Sequence, residues 1–140
     1  MTEIEKFGHF AFIRHSGISK YVEALEQGKL TATRCRKCGS VYFPPRKFCP
    51  KCLADDMEWI EYEQAGEGRL LSYSIIYLAV AGFDEKEFPA PVGVAQFPDG
   101  NRVYARIEGV APDSLRVGMR VKLAPKALPD GRVTHVLQPA

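Results

Sequence analysis

All four cysteines of the chain fall between Cys35 and Cys52, as two C-x-x-C pairs, Cys35-Arg36-Lys37-Cys38 and Cys49-Pro50-Lys51-Cys52, ten residues apart. This spacing limits the fold more than any other feature. Each pair makes a tight knuckle, and two facing knuckles present four soft sulfurs to one tetrahedral ion. Gly39, directly after the first pair, can take the positive φ that such a turn needs. The intervening GSVYFPPRKF reads as a short β-hairpin bent at Pro44-Pro45. A thioredoxin-like redox motif has a single C-x-x-C, not two. Zinc is the expected metal, with rubredoxin-type iron the lesser alternative, and Cys35, Cys38, Cys49 and Cys52 are the expected ligands. A closed four-thiolate site has no open position, so its role is structural. In comparable modules, metal binding supplies on the order of 10–16 kcal/mol to folding.

The same stretch is strongly basic. Arg34, Arg36, Lys37, Arg46, Lys47 and Lys51 occur with no acid among them. The formal net charge is only +2, so the other 13 Lys/Arg against 17 Asp/Glu leave the rest of the chain at −4. A bipolar chain of this kind suits an anionic ligand or an acidic partner near the cysteines.

At 140 residues the chain suits one domain, or one domain with a small appendage. No apolar run approaches the ~20 residues that span a bilayer, and MTEIEKFGHF lacks the apolar core of a signal peptide. A cytoplasmic setting is expected, where paired cysteines mean metal more often than disulfide. Residues 1–18 carry Phe7, Phe10, Phe12, His9 and His15 and read as an arm that packs on the body or on a partner. The pattern predicts a helix over 20–27, with Ser19 as N-cap, Tyr21, Val22 and Leu25 as its apolar stripe, and Gly28 as its stop. Residues 54–67 read as an acidic connector interrupted by Trp59. From residue 68 the pattern is β: LLSYSIIYLAV, PVGVAQF, RVYARIEG, RVKLA and RVTHVLQ, with turns at Pro98-Asp99-Gly100-Asn101 and Pro129-Asp130-Gly131. Five closely spaced strands suggest a small OB-fold barrel. The expected organisation is therefore mainly β: arm and helix (1–33), zinc ribbon (34–53), connector (54–67) and OB-fold domain (68–140).

An autonomous active site is not legible. The three histidines, His9, His15 and His135, stand in unrelated contexts, and no nucleophile or metalloprotease motif is present. His135 alternates with Val133 and Leu137 and reads as a half-buried strand residue. The competing class is a single-stranded nucleic-acid binder. Arg102, Tyr104 and Arg106 share one face of a strand, and Val103, Ala105 and Ile107 the other. Near-neutral net charge stands against that reading.

The run Tyr21–Leu30, the string C-x-x-C-G-x-x-x-F-P-P-R-x-x-C-P-x-C from Cys35 to Cys52, Glu58-Trp59, Gly68–Ser74, Pro89–Val94, Val117–Val121 and Leu137–Ala140 together resemble one family over residues 19–140. It is the zinc-ribbon/OB-fold family of acyl-CoA-associated proteins, long catalogued as a domain of unknown function. The resemblance implies a rubredoxin-like ribbon followed by an OB fold. It also implies a non-catalytic subunit that docks on a thiolase-superfamily enzyme and helps form its acyl-CoA channel. Residues 1–18 lie outside the shared pattern. A coenzyme A thioester, with its phosphates, would be the ligand of such a complex. Arg46 and Lys47 are then candidates to meet a coenzyme A phosphate or an acidic partner. Phe83 and Phe88, in the loop 82–91, are candidate docking residues.

Overall fold

The computed structural model of the chain describes residues 19–62, 67–79 and 84–140. Helix α1 (Ser19–Glu26) buries Tyr21, Val22, Ala24 and Leu25. Gly28 (φ +75°) ends it: its N–H bonds to the Leu25 carbonyl, and the Lys29 N–H reaches Ala24. These are the paired reverse bonds of a Schellman stop.

A three-stranded antiparallel sheet follows, with β1 (Thr31–Cys35) between β2 (Val41–Tyr42) and β3 (Met57–Glu61). The hairpin therefore lies around the first cysteine knuckle, joining β1 to β2, and not at Pro44-Pro45 as the sequence suggested. Residues 43–49 form no strand, as expected of a segment where two prolines cannot donate to a ladder. The third strand comes from beyond the second knuckle and brings Trp59 opposite Thr33.

The barrel strands are β4 (Gly68–Ile76), β5 (Ala90–Gln96), β6 (Arg102–Arg106), β7 (Arg120–Ala127) and β8 (Val133–Pro139), hydrogen-bonded in the order β6-β5-β4-β7-β8. A parallel bridge from Ile107 to Leu137, with the Glu108 N–H donating to the Leu137 carbonyl at 2.8 Å, joins the two ends and closes the barrel. Such closure removes open sheet edges. β4 is shorter than the apolar run LLSYSIIYLAV implied. Its last pair is Ile76 with Ala90, and the next partner would be Pro89, which has no N–H to offer. Near its start β4 carries a bulge between Leu70 and Ser72. A Cβ on Gly93 would come within 2.8 Å of Leu70 and of the Ser72 carbonyl, so this close crossing requires glycine.

Ribbon and barrel share one core. Buried Tyr21, Leu30, Ala32 and Phe43 belong to the same cluster as Leu70, Val103, Val121 and Leu137. Phe43 stacks on Tyr62 at 4.7 Å between centroids and meets Tyr21 and His135 edge-on. His135 is buried rather than half-exposed: α1 covers the outer face of β8, so both faces of that strand are enclosed. Its Nδ1 is hydrogen-bonded to the Tyr21 hydroxyl, and Nε2 lies 3.3 Å from the Tyr104 carbonyl. On the other flank, Asn101 in the β5–β6 turn accepts from the Phe43 N–H (3.1 Å) and donates to the Val41 carbonyl (3.0 Å).

Asn101→Ala deletes both bonds that tie the barrel turn to β2 and the residue after it. It is expected to lower stability by about 1–3 kcal/mol, read by urea unfolding, with little change in metal content.

Candidate metal centre

The two knuckles are built alike. The Gly39 N–H donates to the Cys35 carbonyl at 2.8 Å, and the Leu53 N–H donates to the Cys49 carbonyl at 2.8 Å. Both fifth residues are left-handed, Gly39 at φ +74° and Leu53 at φ +57°. Glycine takes that conformation without penalty, whereas a residue with a β-carbon pays roughly 1–2 kcal/mol.

The knuckles bring the four Sγ atoms within 4.8 Å of one another. Cys38 and Cys49 sulfurs stand 3.7 Å apart. A tetrahedral ion with metal–sulfur bonds of about 2.3 Å requires sulfurs about 3.8 Å apart, so the donor set fits zinc in spacing as well as in chemistry. Cys35 and Cys49 are buried, while Cys38 and Cys52 are exposed.

The surroundings favour negative sulfur. Ser40 Oγ lies 3.3 Å from Cys38 Sγ, and hydrogen bonds from the Ser40 hydroxyl and amide pull the Cys38 thiol down to about 6. The Tyr42 hydroxyl, 3.5 Å from Cys49 Sγ, lowers the Cys49 thiol. Cys52 moves the other way, up to about 12, because it shares its proton with Cys38 and faces the negative charge of neighbouring sulfurs. A cluster that readily ionises some of its thiols but resists ionising all of them is completed by a cation.

Around this centre the basic residues divide into two groups. Arg36 pairs with Asp56 at 2.9 Å and Arg34 with Glu58 at 3.9 Å. Lys37, Arg46, Lys47 and Lys51 are exposed and have no carboxylate partner among the described residues. Arg46 lies over the Tyr42 ring and Lys47 over Phe48. The Arg46 backbone is clamped on both sides by Thr33, whose Oγ1 accepts from its N–H (2.8 Å) and donates to its carbonyl (2.9 Å). Sequence reading missed Thr33 and Asn101, because each acts through a partner distant in the chain.

Phe88 is half-buried beneath the Arg106 guanidinium, 5.6 Å from its centre, well away in sequence from the ribbon. Phe83, like the aromatic and histidine residues of the arm (1–18), lies outside the described residues. The alternating face of β6 is as expected, with Arg102 and Tyr104 exposed and Val103 and Ala105 buried. Arg106, however, pairs with Glu87 at 3.0 Å, and Lys126 pairs with Glu108. The cleft of about 320 Å³ at this end of the barrel is therefore lined by neutralised cations, a poor setting for a phosphate backbone. No described helix is long and apolar enough to cross a membrane.

Comparison with known proteins matches residues 22–58 to the family described as "ChsH2, rubredoxin-like zinc ribbon domain" and residues 61–125 to "ChsH2, C-terminal OB-fold domain". A "DUF35 domain-containing scaffold protein" of Methanocaldococcus jannaschii is 34% identical over 66% of this chain. The match spans 64% of that protein, less than two-thirds of its length. The "Benzoylsuccinyl-CoA thiolase subunit BbsA" of Thauera aromatica is 32% identical over 74% of this chain and 67% of its own length. Among solved structures, a chain of the "Ltp2-ChsH2(DUF35) aldolase" superposes with a TM-score of 0.71 at 28% identity, covering 86% of this chain and 92% of that one.

Two outcomes test the centre. Cys35→Ser and Cys49→Ser are each expected to abolish bound metal, read by elemental analysis, and to lower the melting temperature. In metal-free protein the Cys38 thiol has its folded pKa depressed from the usual 9.0 to about 6. Its thiolate therefore contributes stability fully above the usual thiol range, and loses it as pH falls through about 6. Ultraviolet thiolate absorbance of stripped protein reads that titration, and Ser40→Ala is expected to move it upward.

Proposed function

The chain belongs to the ChsH2-type (DUF35) family of zinc-ribbon and OB-fold proteins, and from that premise we propose that it is a non-catalytic accessory subunit of a thiolase-superfamily acyl-CoA enzyme. It docks on the catalytic subunit and helps shape the acyl-CoA channel. The observation that carries this reading is the near full-length superposition on a chain of the Ltp2-ChsH2(DUF35) aldolase. The relative named as a benzoylsuccinyl-CoA thiolase subunit supports it from a second direction.

The chemistry of the chain is consistent with such a role. Zinc in the four-thiolate site is fully coordinated and has no position for substrate. Cys35, Cys38, Cys49 and Cys52 hold it, in a cytoplasmic setting that keeps thiols reduced. The one described histidine, His135, has both ring nitrogens engaged inside the core. It is not presented to a substrate as an acid or base. What the chain offers to solvent is shape and charge. Arg46 and Lys47, held by the Thr33 clamp and next to the metal, are suited to a coenzyme A phosphate or to carboxylates on the catalytic subunit. Phe83 and Phe88 contribute a second contact from the loop 82–91.

Tagged chain purified from its native host is expected to bring down a thiolase-superfamily subunit in near-stoichiometric amount, identified by mass spectrometry. Recovery of a lone chain, or of bound nucleic acid, would contradict the reading. In the recovered complex, reversing Arg46 and Lys47 to Glu is expected to weaken acyl-CoA binding or assembly. Unchanged values for both would remove these two residues from the interface.

A further inference from the structure

The second cysteine knuckle contains a residue that folding alone does not explain. Leu53 occupies the position that glycine fills in the first knuckle, with the same backbone bond and the same left-handed φ. It is therefore strained, yet its side chain is 83% exposed and joins no core cluster. The knuckle bond to Cys49 fixes the left-handed turn, but glycine would close it without penalty, so an exposed leucine at this position points to a use outside the chain. Phe48, on the other side of the same pair of cysteines, is 56% exposed.

The same cysteine module exposes four cations, Lys37, Arg46, Lys47 and Lys51. Lys47 directly precedes Phe48 and lies over its ring, and Lys51 stands two residues before Leu53. Lys37 sits beside Cys38, whose sulfur is 3.7 Å from that of Cys49, and Arg46 lies over Tyr42, whose hydroxyl reaches the same Cys49 sulfur. None of the four has a carboxylate partner among the described residues. Of the acids that follow, Asp56 pairs with Arg36 and Glu58 with Arg34, so exposed Asp55 is the carboxylate left beside the four cations.

We infer that the second knuckle is a docking tip, with Leu53 and Phe48 as apolar anchors that enter a pocket rimmed by carboxylates on the catalytic subunit. The inference rests on the accessory-subunit reading above and deepens it by naming the contacting residues and the chemistry of the opposing face. Anchors in a pocket dominate interface energy, and rim charges set orientation and association rate. A protein pocket fits better than a lipid surface. The left-handed backbone fixes the direction of Leu53, and direction matters to a shaped pocket but not to a fluid bilayer.

Leu53→Gly separates docking from folding, because the two predict opposite signs. Glycine relieves the backbone, so the variant is expected to keep its zinc and to melt at or above the wild-type temperature. Its affinity for the thiolase-type subunit that co-purifies with the wild-type chain is expected to fall at least about tenfold, as is that of Phe48→Ala. Lys47→Glu with Lys51→Glu is expected to slow association and reduce its salt dependence. A Leu53→Gly variant that binds as tightly as wild type, or that loses metal and melts lower, would overturn the inference. So would a tip whose Leu53-dependent binding is to phosphatidylserine vesicles while affinity for the subunit is unchanged. A wild-type chain that binds no thiolase-type subunit would instead remove the functional reading beneath it.

Discussion

Four sulfurs held within 4.8 Å of one another are an unstable arrangement without a cation between them, and the ribbon is organised around that fact. Ser40 and Tyr42 favour the thiolate at Cys38 and Cys49, while crowding keeps the Cys52 proton in place. A divalent ion removes this conflict by replacing the protons. Both knuckles, the short β1–β2 hairpin and the segment 43–49 then become one rigid unit. That segment has no strand of its own; Thr33 holds it at Arg46 and Asn101 at Phe43, and a metal bound through Cys49 would fix its end.

Rigidity at the metal matters only if it is passed to the barrel, and the seam between them is well made. Phe43 leaves the ribbon sheet and stacks among Tyr21, Tyr62 and His135. The buried Tyr21–His135 pair links α1 to β8, and Asn101 links the β5–β6 turn to β2. Apolar packing and satisfied polar groups thus coincide at one place. The ribbon is an outgrowth of the barrel core rather than a separate bead, so its tip keeps a fixed direction relative to the OB fold.

Much of this was legible in the sequence, for reasons that can be named. The cysteine spacing, Gly39, the α1 stripe with Gly28, and the turns at Pro98–Asn101 and Pro129–Gly131 are local signals, and local physics decides them. The shared C-x-x-C-G and F-P-P-R string carried the family. What failed was non-local. The hairpin at Pro44-Pro45 was wrong because the nearest strand partner of β1 lies directly after the first knuckle. His135 read as half-buried because period 2 cannot reveal that a helix covers the second face of β8. Thr33 and Asn101 are ordinary polar residues until the fold brings partners 13 and 58–60 residues away. Leu53 could have been noticed by aligning the two knuckles, since leucine stands where its counterpart has glycine.

Four cysteines that fit a closed metal thus stand beside exposed basic and apolar side chains, the surface proposed above for docking. Zero-length carbodiimide cross-linking of the assembled complex tests this most directly, because it joins lysines only to carboxylates in contact. Mass spectrometry is expected to find Lys37, Lys47 and Lys51 bonded to acidic residues of the catalytic subunit. Cross-links confined to barrel lysines such as Lys122, with the ribbon lysines unmodified by the partner, would contradict it.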